Sequence, residues 1–168
     1  MSNNHFINED LIKNLFFNLV TNQKWDTFFE LIDSNALDIN SRDIKGRNAL
    51  FWAIHYTNVD AISRLIKSGI DTDVTANLSA INYAVYKDNV KVIKCLKNCG
   101  IDLNEVDNIN STPLIYAVLY NKLNSIDNLI QNDANLDHED FLGNTPASLI
   151  YDLKIKYLIE KLNNIRNS

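Results

Sequence analysis

No apolar run in this sequence is long enough to span a bilayer, so a membrane-spanning helix is not expected. Lys13, Asn14 and Asn18 interrupt the apolar residues near the N-terminus, which excludes the unbroken core of a signal peptide. Basic residues are not in excess. Sixteen of them stand against twenty-one acidic ones, a formal net charge of −5, which argues against a general affinity for nucleic acid or for anionic membrane. Together these absences predict a soluble cytoplasmic chain, in the producing cell or in a host cell.

Cysteine and histidine are scarce as well. Cys95 and Cys99 are four apart and would share one helix face, but structural zinc needs four ligands and no second Cys/His pair stands at suitable spacing. They are expected to act as small apolar residues in a reducing compartment, and no metal or other cofactor is implied. The three histidines occupy unrelated places: His5 in a tail, His55 on a helix and His138 in a hairpin. Gly-x-Ser-x-Gly, a phosphate-cradling glycine loop and His-Glu-x-x-His are all missing. No nucleophile, base and orienting group are brought into one register, so no enzyme is expected. Only four glycines and two prolines occur, against 26 asparagines and 20 isoleucines, a compositional bias that says nothing about mechanism.

What is present is a repeat. Leu50, Ile81, Leu114 and Ala147 are separated by 31, 33 and 33 residues, and Ala53, Ala84, Ala117 and Ile150 repeat those steps. Such a period implies stacked units, none of which buries its apolar face alone. At 168 residues, with 46% hydrophobic residues, one domain with a substantial core is expected. In Thr112-Pro113 and Thr145-Pro146 the threonine suits a helix cap and the proline the first turn. A second helix follows each first one, with stripes such as Val59, Ile62, Leu65, Ile66 and Val90, Ile93, Leu96. Gly69 and Gly100, with Asp133 in the third copy, suit left-handed helix ends. Asp43 with Gly46 and Asp140 with Gly143 would shape hairpin tips.

The register predicts helix pairs near 11–22 with 24–34, 48–57 with 59–68, 79–88 with 90–99, 112–121 with 123–132, and 145–152 with 155–164. Strand content should be negligible. The units would run over about 8–40, lacking a hairpin as a terminal cap could, then 41–73, 74–104, 105–137 and 138–165. The unit from Val74 is two residues short, so its hairpin should be stunted.

Helix–helix–hairpin units with TPLIYA at 112–117, and progressively altered copies NALFWA at 48–53, SAINYA at 79–84 and TPASLI at 145–150, resemble the ankyrin repeat. The resemblance covers about residues 8–165 and implies an all-α solenoid of stacked helix-turn-helix units with short hairpin loops. Tetratricopeptide arrays have a nearby period but no Asp-x-x-Gly hairpin signal. Phe51, Asn82 and Ile115 stand where the family motif has histidine, so the hydrogen bonding that staples hairpin to helix should weaken. The family implies a scaffold that binds another protein through its concave first-helix face and hairpin tips, a monomer by itself.

Carried onto this sequence, the concave positions are Trp52, His55, Tyr56, Tyr83, Tyr86, Lys87, Tyr116, Leu119 and Tyr120. The tips supply Lys45, Arg47, Ile109 and Phe141. Exposed aromatics and arginine are common interface anchors. The packing alternative has Trp52, Tyr83 and Tyr116 stacked on one another as inter-repeat core. Apolar tip residues such as Ile44, Ile109, Phe141 and Leu142 need a reason to face solvent. Lys87, Lys91 and Lys94 would share one helix face, most simply a solvated convex surface.

Residues 41–73 and 74–104 carry +1 and +2, while 1–40 and 105–137 each carry −4, so a basic middle could steer an acidic partner segment. Two settings suit a small ankyrin chain of this composition. One is an effector or decoy of an intracellular bacterium or large DNA virus acting on a host protein. The other is a bacterial regulator or toxin-neutralising protein. With no F-box-like extension after Arg166, recruitment of ubiquitin ligases is not expected. From a different class, a ligand-binding or hydrolytic protein would show a deep polar pocket with converging titratable groups, where a scaffold would show a shallow apolar groove.

Overall fold

In the computed structural model the described residues are 3–167, with side chains described from residue 11 onward. Among them are ten helices: α1 (Asn3–Thr21), α2 (Trp25–Asp33), α3 (Ala49–His55), α4 (Val59–Lys67), α5 (Ala80–Tyr86), α6 (Val90–Asn98), α7 (Pro113–Leu119), α8 (Leu123–Gln131), α9 (Pro146–Asp152) and α10 (Lys156–Arg166). First helices pack in a row, α1 on α3, α3 on α5, α5 on α7 and α7 on α9, while α4, α6 and α8 form the second row. This is a helical repeat solenoid. The helix pairs fall where the register predicts them, except that α1 begins at Asn3 rather than near 11 and takes in His5.

One capping position recurs with the repeat. Asn48, Ser79, Thr112 and Thr145 each accept a hydrogen bond from the backbone N–H three residues on, at Phe51, Asn82, Ile115 and Ser148. Each satisfies a donor that the helix itself leaves unpaired. Asn58 and Asn89 do the same for second helices. Pro113 and Pro146 sit at the helix starts, where no N–H is needed.

Besides the hairpin tips, where Gly46, Asn110 and Gly143 take it, two turn positions flanking the helices require a left-handed backbone. After the second helices they are Asn35, Gly69, Gly100 and Asp133. Between the helices of each pair they are Gln23, Thr57, Asp88, Asn121 and Lys154, with φ between 51° and 59°. The second set holds no glycine, so each of its side chains tolerates a conformation that L-residues resist.

The 31-residue unit has the shortened hairpin that its length implies, and this hairpin is the one that forms strands among the described residues. Its short hairpin pairs as an antiparallel ladder, β1 (Asp73–Thr75) with β2 (Leu78–Ser79), running directly into α5. Losing two residues leaves no room for an open loop, and the tight connection lets the backbone groups pair with each other. This is the sheet of the described residues, and the expectation of negligible strand holds elsewhere.

The core runs the length of the array. Leu50, Ile81 and Leu114 are fully buried, as are Leu65, Leu96 and Leu129 on the second helices. Phe16 and Phe28 fill the N-terminal unit in an edge-to-face contact at 6.2 Å. Leu158 and Leu162 on α10 are buried at the other end. Cys95 and Cys99 are half-buried and share one neighbour: Cys95 Sγ lies 3.4 Å from Ser63 Oγ, and the Cys99 thiol donates to the same oxygen at 3.7 Å.

Candidate interaction surface

Each full hairpin tip is organised by an aspartate. One carboxylate oxygen of Asp43 accepts from the backbone N–H groups of Lys45 and Arg47, at 2.8 and 3.1 Å. Asp107 holds Ile109 and Ser111 in the same way, and Asp140 holds Leu142 and Asn144. These are Asx turns, which fix the loop without glycine at every bend. The last two tips are joined by a backbone bond from Phe141 N–H to Ile109 C=O at 3.0 Å and by Asn110 Nδ2 on Glu139 C=O at 2.9 Å.

The second carboxylate oxygen replaces the missing histidine staple. Trp52 Nε1 donates to Asp43 Oδ2 at 3.3 Å, and the Tyr116 hydroxyl donates to Asp107 Oδ2. Both aromatics lie nine residues after their aspartate, so these two hairpins are tied to their first helices by a route other than histidine. At Asp140 the ninth residue is Leu149, and Ser111 Oγ from the preceding unit donates instead, at 3.1 Å. Asn82, at a histidine position, keeps a buried Oδ1 without a hydrogen-bond partner.

Several expected anchors are engaged within the fold. Trp52 and Tyr83 are buried, and with Tyr116 they do not stack on one another. Trp52 instead stacks with Tyr56 at 6.0 Å and meets Phe17 edge-on at 5.9 Å, while Tyr83 stacks on Phe51 at 4.4 Å. Tyr56 is half-buried, its hydroxyl donating to Thr21 C=O at 2.9 Å, so it closes the contact with α1 rather than standing free. Arg47 binds Asp43 at 2.7 Å and lies over the Trp52 ring at 4.4 Å. Tyr116 is half-buried, and burial followed by the Asp107 hydrogen bond pushes its phenol up to about 12. Burial also raises Tyr83, against the opposing pull of Arg47. His55 remains exposed, with Nδ1 3.0 Å from the Tyr83 hydroxyl. Partial burial and then the charges of Lys87 and Arg47 lower its pKa.

The remaining positions face solvent. Tyr86 is 57% exposed and Tyr120 54%, with Leu119, Lys87, Lys45 and Ile109 also exposed. Phe141 and Leu142 are 74% and 73% exposed. Lys87 caps the end of α5 whereas Lys91 and Lys94 lie on α6, so the three do not share one helix face.

Tyr86 and Tyr120 meet at 6.3 Å, and Tyr116 stacks on Tyr120 at 6.0 Å. With Tyr83, Asn77, Leu78, Asn82 and Asp107 they line an aromatic cleft of about 300 Å³. A second cleft of about 300 Å³ adjoins it, sharing Asn77, Leu78, Asn82 and Asp107, and is lined also by Asp73 and Glu105. The structure thus contains both an aromatic groove and a polar recess, side by side. Sequence reasoning missed the recess, because it arises from how a shortened hairpin sits beside a full one.

The family model described as ankyrin repeats (3 copies) matches residues 15–107 and again residues 73–140. This chain belongs to the ankyrin repeat family. Ankyrin repeats are in general modules of protein–protein interaction, scaffolds rather than enzymes. An ankyrin repeat protein of Acanthamoeba polyphaga mimivirus is 31% identical over 138 residues, covering 76% of this chain and 18% of the relative. One from Borreliella burgdorferi is 28% identical over 136 residues, covering 76% of this chain and 61% of that protein. A vaccinia virus protein named as an interferon antagonist is 29% identical over 84 residues, half of this chain and 30% of its own length. The chain therefore spans less than two thirds of each of these relatives. No described helix is long and apolar enough to cross a membrane.

Proposed function

We infer that this chain is a non-enzymatic scaffold, a single ankyrin array acting as a monomer, that binds a protein partner with its concave first-helix face and hairpin tips. The observation that carries this reading is the exposure of Tyr86, Leu119 and Tyr120 beside tips bearing Ile109, Phe141 and Leu142. Apolar and aromatic side chains held in solvent by a rigid, multiply hydrogen-bonded frame form a preorganised contact surface. Lys45 and Lys87 supply charge at its edge and His55 a polar ring, while Trp52, Tyr56, Tyr83, Tyr116 and Arg47 act by holding the frame.

The setting we favour is the cytoplasm of a host cell, with the chain acting as an effector or decoy on a host protein. The similarity to ankyrin proteins of mimivirus and of vaccinia virus supports it, the latter being an interferon antagonist by name. The Borreliella relative, most of whose length this chain spans, favours a second reading as a bacterial regulator or toxin-neutralising protein in the producing cell.

The test is affinity capture from candidate host and bacterial lysates with mass spectrometry, run in parallel with Tyr86→Ser/Tyr120→Ser, Phe141→Ser and Lys91→Ser/Lys94→Ser chains. A partner lost with the tyrosines or Phe141, and kept with the convex lysines changed, supports the reading. A partner that needs only the lysines places recognition on the opposite face and overturns it.

A further inference from the structure

Trp52 and Asp43 hold a guanidinium between them. Arg47 Nε donates to Asp43 Oδ2 at 2.7 Å while the Arg47 guanidinium carbon sits 4.4 Å from the Trp52 ring centroid and 5.2 Å from that of Phe51. Such a pairing joins a charge-assisted hydrogen bond to a cation–π contact, and the planar guanidinium suits both at once.

Sixty-four residues on, the same aspartate–aromatic pair recurs as Asp107 and Tyr116, but the register position of Arg47 is taken by Ser111. The described donors to the Asp107 carboxylate are two backbone N–H groups and the Tyr116 hydroxyl, none of them a cation. Here the aspartate opens onto the two adjoining clefts. Their charged lining residues are Asp73, Glu105 and Asp107, all acidic. Glu105 shows the consequence: burial, together with the Asp73 and Asp102 charges, raises its pKa against the opposing effect of Ser79. On the other side stand Tyr86 and Tyr120, each more than half exposed, with Lys122 Nζ 5.2 Å from the Tyr86 ring centroid, so that among the described residues Tyr120 is the ring without a cation of this chain over it.

We propose that this paired cleft, between the β1–β2 hairpin and the tip around Asp107, receives an arginine side chain of the partner protein. The guanidinium would lie against the Tyr120 ring with its N–H groups toward Glu105 and Asp73. An arginine fits better than a lysine, because its flat face stacks on a ring while its edge donates in plane to carboxylates. An acidic partner segment, which the basic charge of residues 74–104 would suggest, is disfavoured at this place by three carboxylates. Four lysines give that stretch its positive sum, and none of them lines either cleft.

The proposal rests on the scaffold reading above, and its test needs no identified partner. Nα-acetyl-arginine methylamide is titrated into the full chain, followed by backbone amide and tyrosine ring resonances. The lysine and glutamate analogues serve as comparators. Saturable shifts centred on Leu78, Tyr86, Glu105 and Tyr120 are expected with the arginine compound, in the millimolar range appropriate to so small a ligand. Glu105→Gln and Tyr120→Leu should each weaken binding about threefold to fivefold, the size of one screened ion contact or one exposed cation–π contact. Asp73→Asn, at an exposed hairpin position, serves as the charge variant should Glu105→Gln lower the melting temperature.

The absence of saturable shifts, shifts mapping elsewhere, or equal binding by the lysine or glutamate analogue overturns the proposal. If a captured partner still depends on Tyr86 and Tyr120 while the arginine compound does not bind, the inference fails and the scaffold reading survives. Failure of the scaffold reading appears separately, as the lack of any partner dependent on the concave face.

Discussion

The Tyr116 hydroxyl donates to the carboxylate of Asp107, nine residues before it, and so fastens a hairpin tip to the helix that follows. The phenol is held in its protonated form, first by burial and then by this bond, so that its pKa is pushed up to about 12 from 10.0. A folded state that retains a proton the unfolded chain gives up is stabilised only while that proton is held. The contribution is therefore complete below pH 10.0 and is lost as the pH rises toward about 12. Burial raises Tyr83 and Tyr157 in the same direction, Tyr157 assisted by Asp127.

Tyr116→Phe should lower stability by about 1–2 kcal/mol at neutral pH, the loss of one hydrogen bond to a charged group at a half-buried site. It should also flatten the alkaline limb of a plot of denaturation midpoint against pH. A variant whose alkaline limb matches the parent would show that Tyr116 is not coupled to folding.

Arg47 gives the second prediction. Its partner Asp43 has a side chain with 0% exposure, while that of Arg47 is 18% exposed. Removing the cation leaves a buried carboxylate with two backbone donors and the Trp52 indole. Arg47→Ala should cost about 3 kcal/mol, typical of stripping one member from a buried pair. Arg47→Lys should recover less than half of that, since an ammonium cannot stack on Trp52 and donate in plane to Asp43 together. Urea unfolding with an unchanged slope is the measurement, and a lysine variant as stable as the parent would show that charge alone suffices.

The architecture was readable because packing imposes a period on residue type. Alanines at 53, 84 and 117, the threonine caps at 112 and 145, and the glycines at 69 and 100 each have one physical job per unit. The left-handed turns at Gln23, Thr57, Asp88, Asn121 and Lys154 were not readable, since five different side chains meet one backbone requirement. The aromatics were ambiguous for another reason. Tyr56 and Tyr120 occupy the same place in the repeat, yet Tyr56 is covered by the end of α1 through Thr21, while Tyr120 faces a cleft. What lies against a residue depends on the neighbouring unit, and a register read along one chain does not contain it. The staple from Trp52 and Tyr116 had a signal, the spacing of nine from Asp43 and Asp107, that becomes meaningful only once hairpin and helix are seen side by side.

Leu96 on α6 is fully buried, and α6 packs on both α4 and α8. Leu96→Ala should cost about 2–5 kcal/mol, transfer loss plus cavity. In an array held by nearest-neighbour contacts, the damage should spread to both flanks. Hydrogen exchange should therefore accelerate in α4 and α8 as well as in α6. Acceleration confined to α6, or an unchanged midpoint, would contradict the packing described.

Asp88 lies in the turn between α5 and α6, and its carboxylate reaches across to the next unit. One oxygen accepts from the Ser125 N–H at 2.8 Å and from Ser125 Oγ at 2.7 Å, and the other from Asn124 Nδ2 at 2.8 Å. Burial alone would raise the Asp88 pKa, but the donors of Ser125 and Asn124 outweigh it and the net direction is down from 3.8. A carboxyl that ionises more readily when folded stabilises the fold fully above its unfolded value. That stabilisation fades as the pH falls below 3.8 through the folded pKa. Asp127 and Asp140 shift the same way through their own donors, so the array should lose stability steeply in acid. Asp88→Asn is the informative change, because asparagine tolerates the left-handed backbone at φ 51° while removing the charge. It should lower stability near neutral pH by about 1 kcal/mol, since the site is only half-buried and solvent competes for the donors. The acid limb should become shallower by the share Asp88 supplies, read from urea midpoints between neutral pH and strong acid. A variant less stable at every pH by the same amount would mean that Asp88 acts through packing and shape alone, with its charge carrying none of the coupling between neighbouring units.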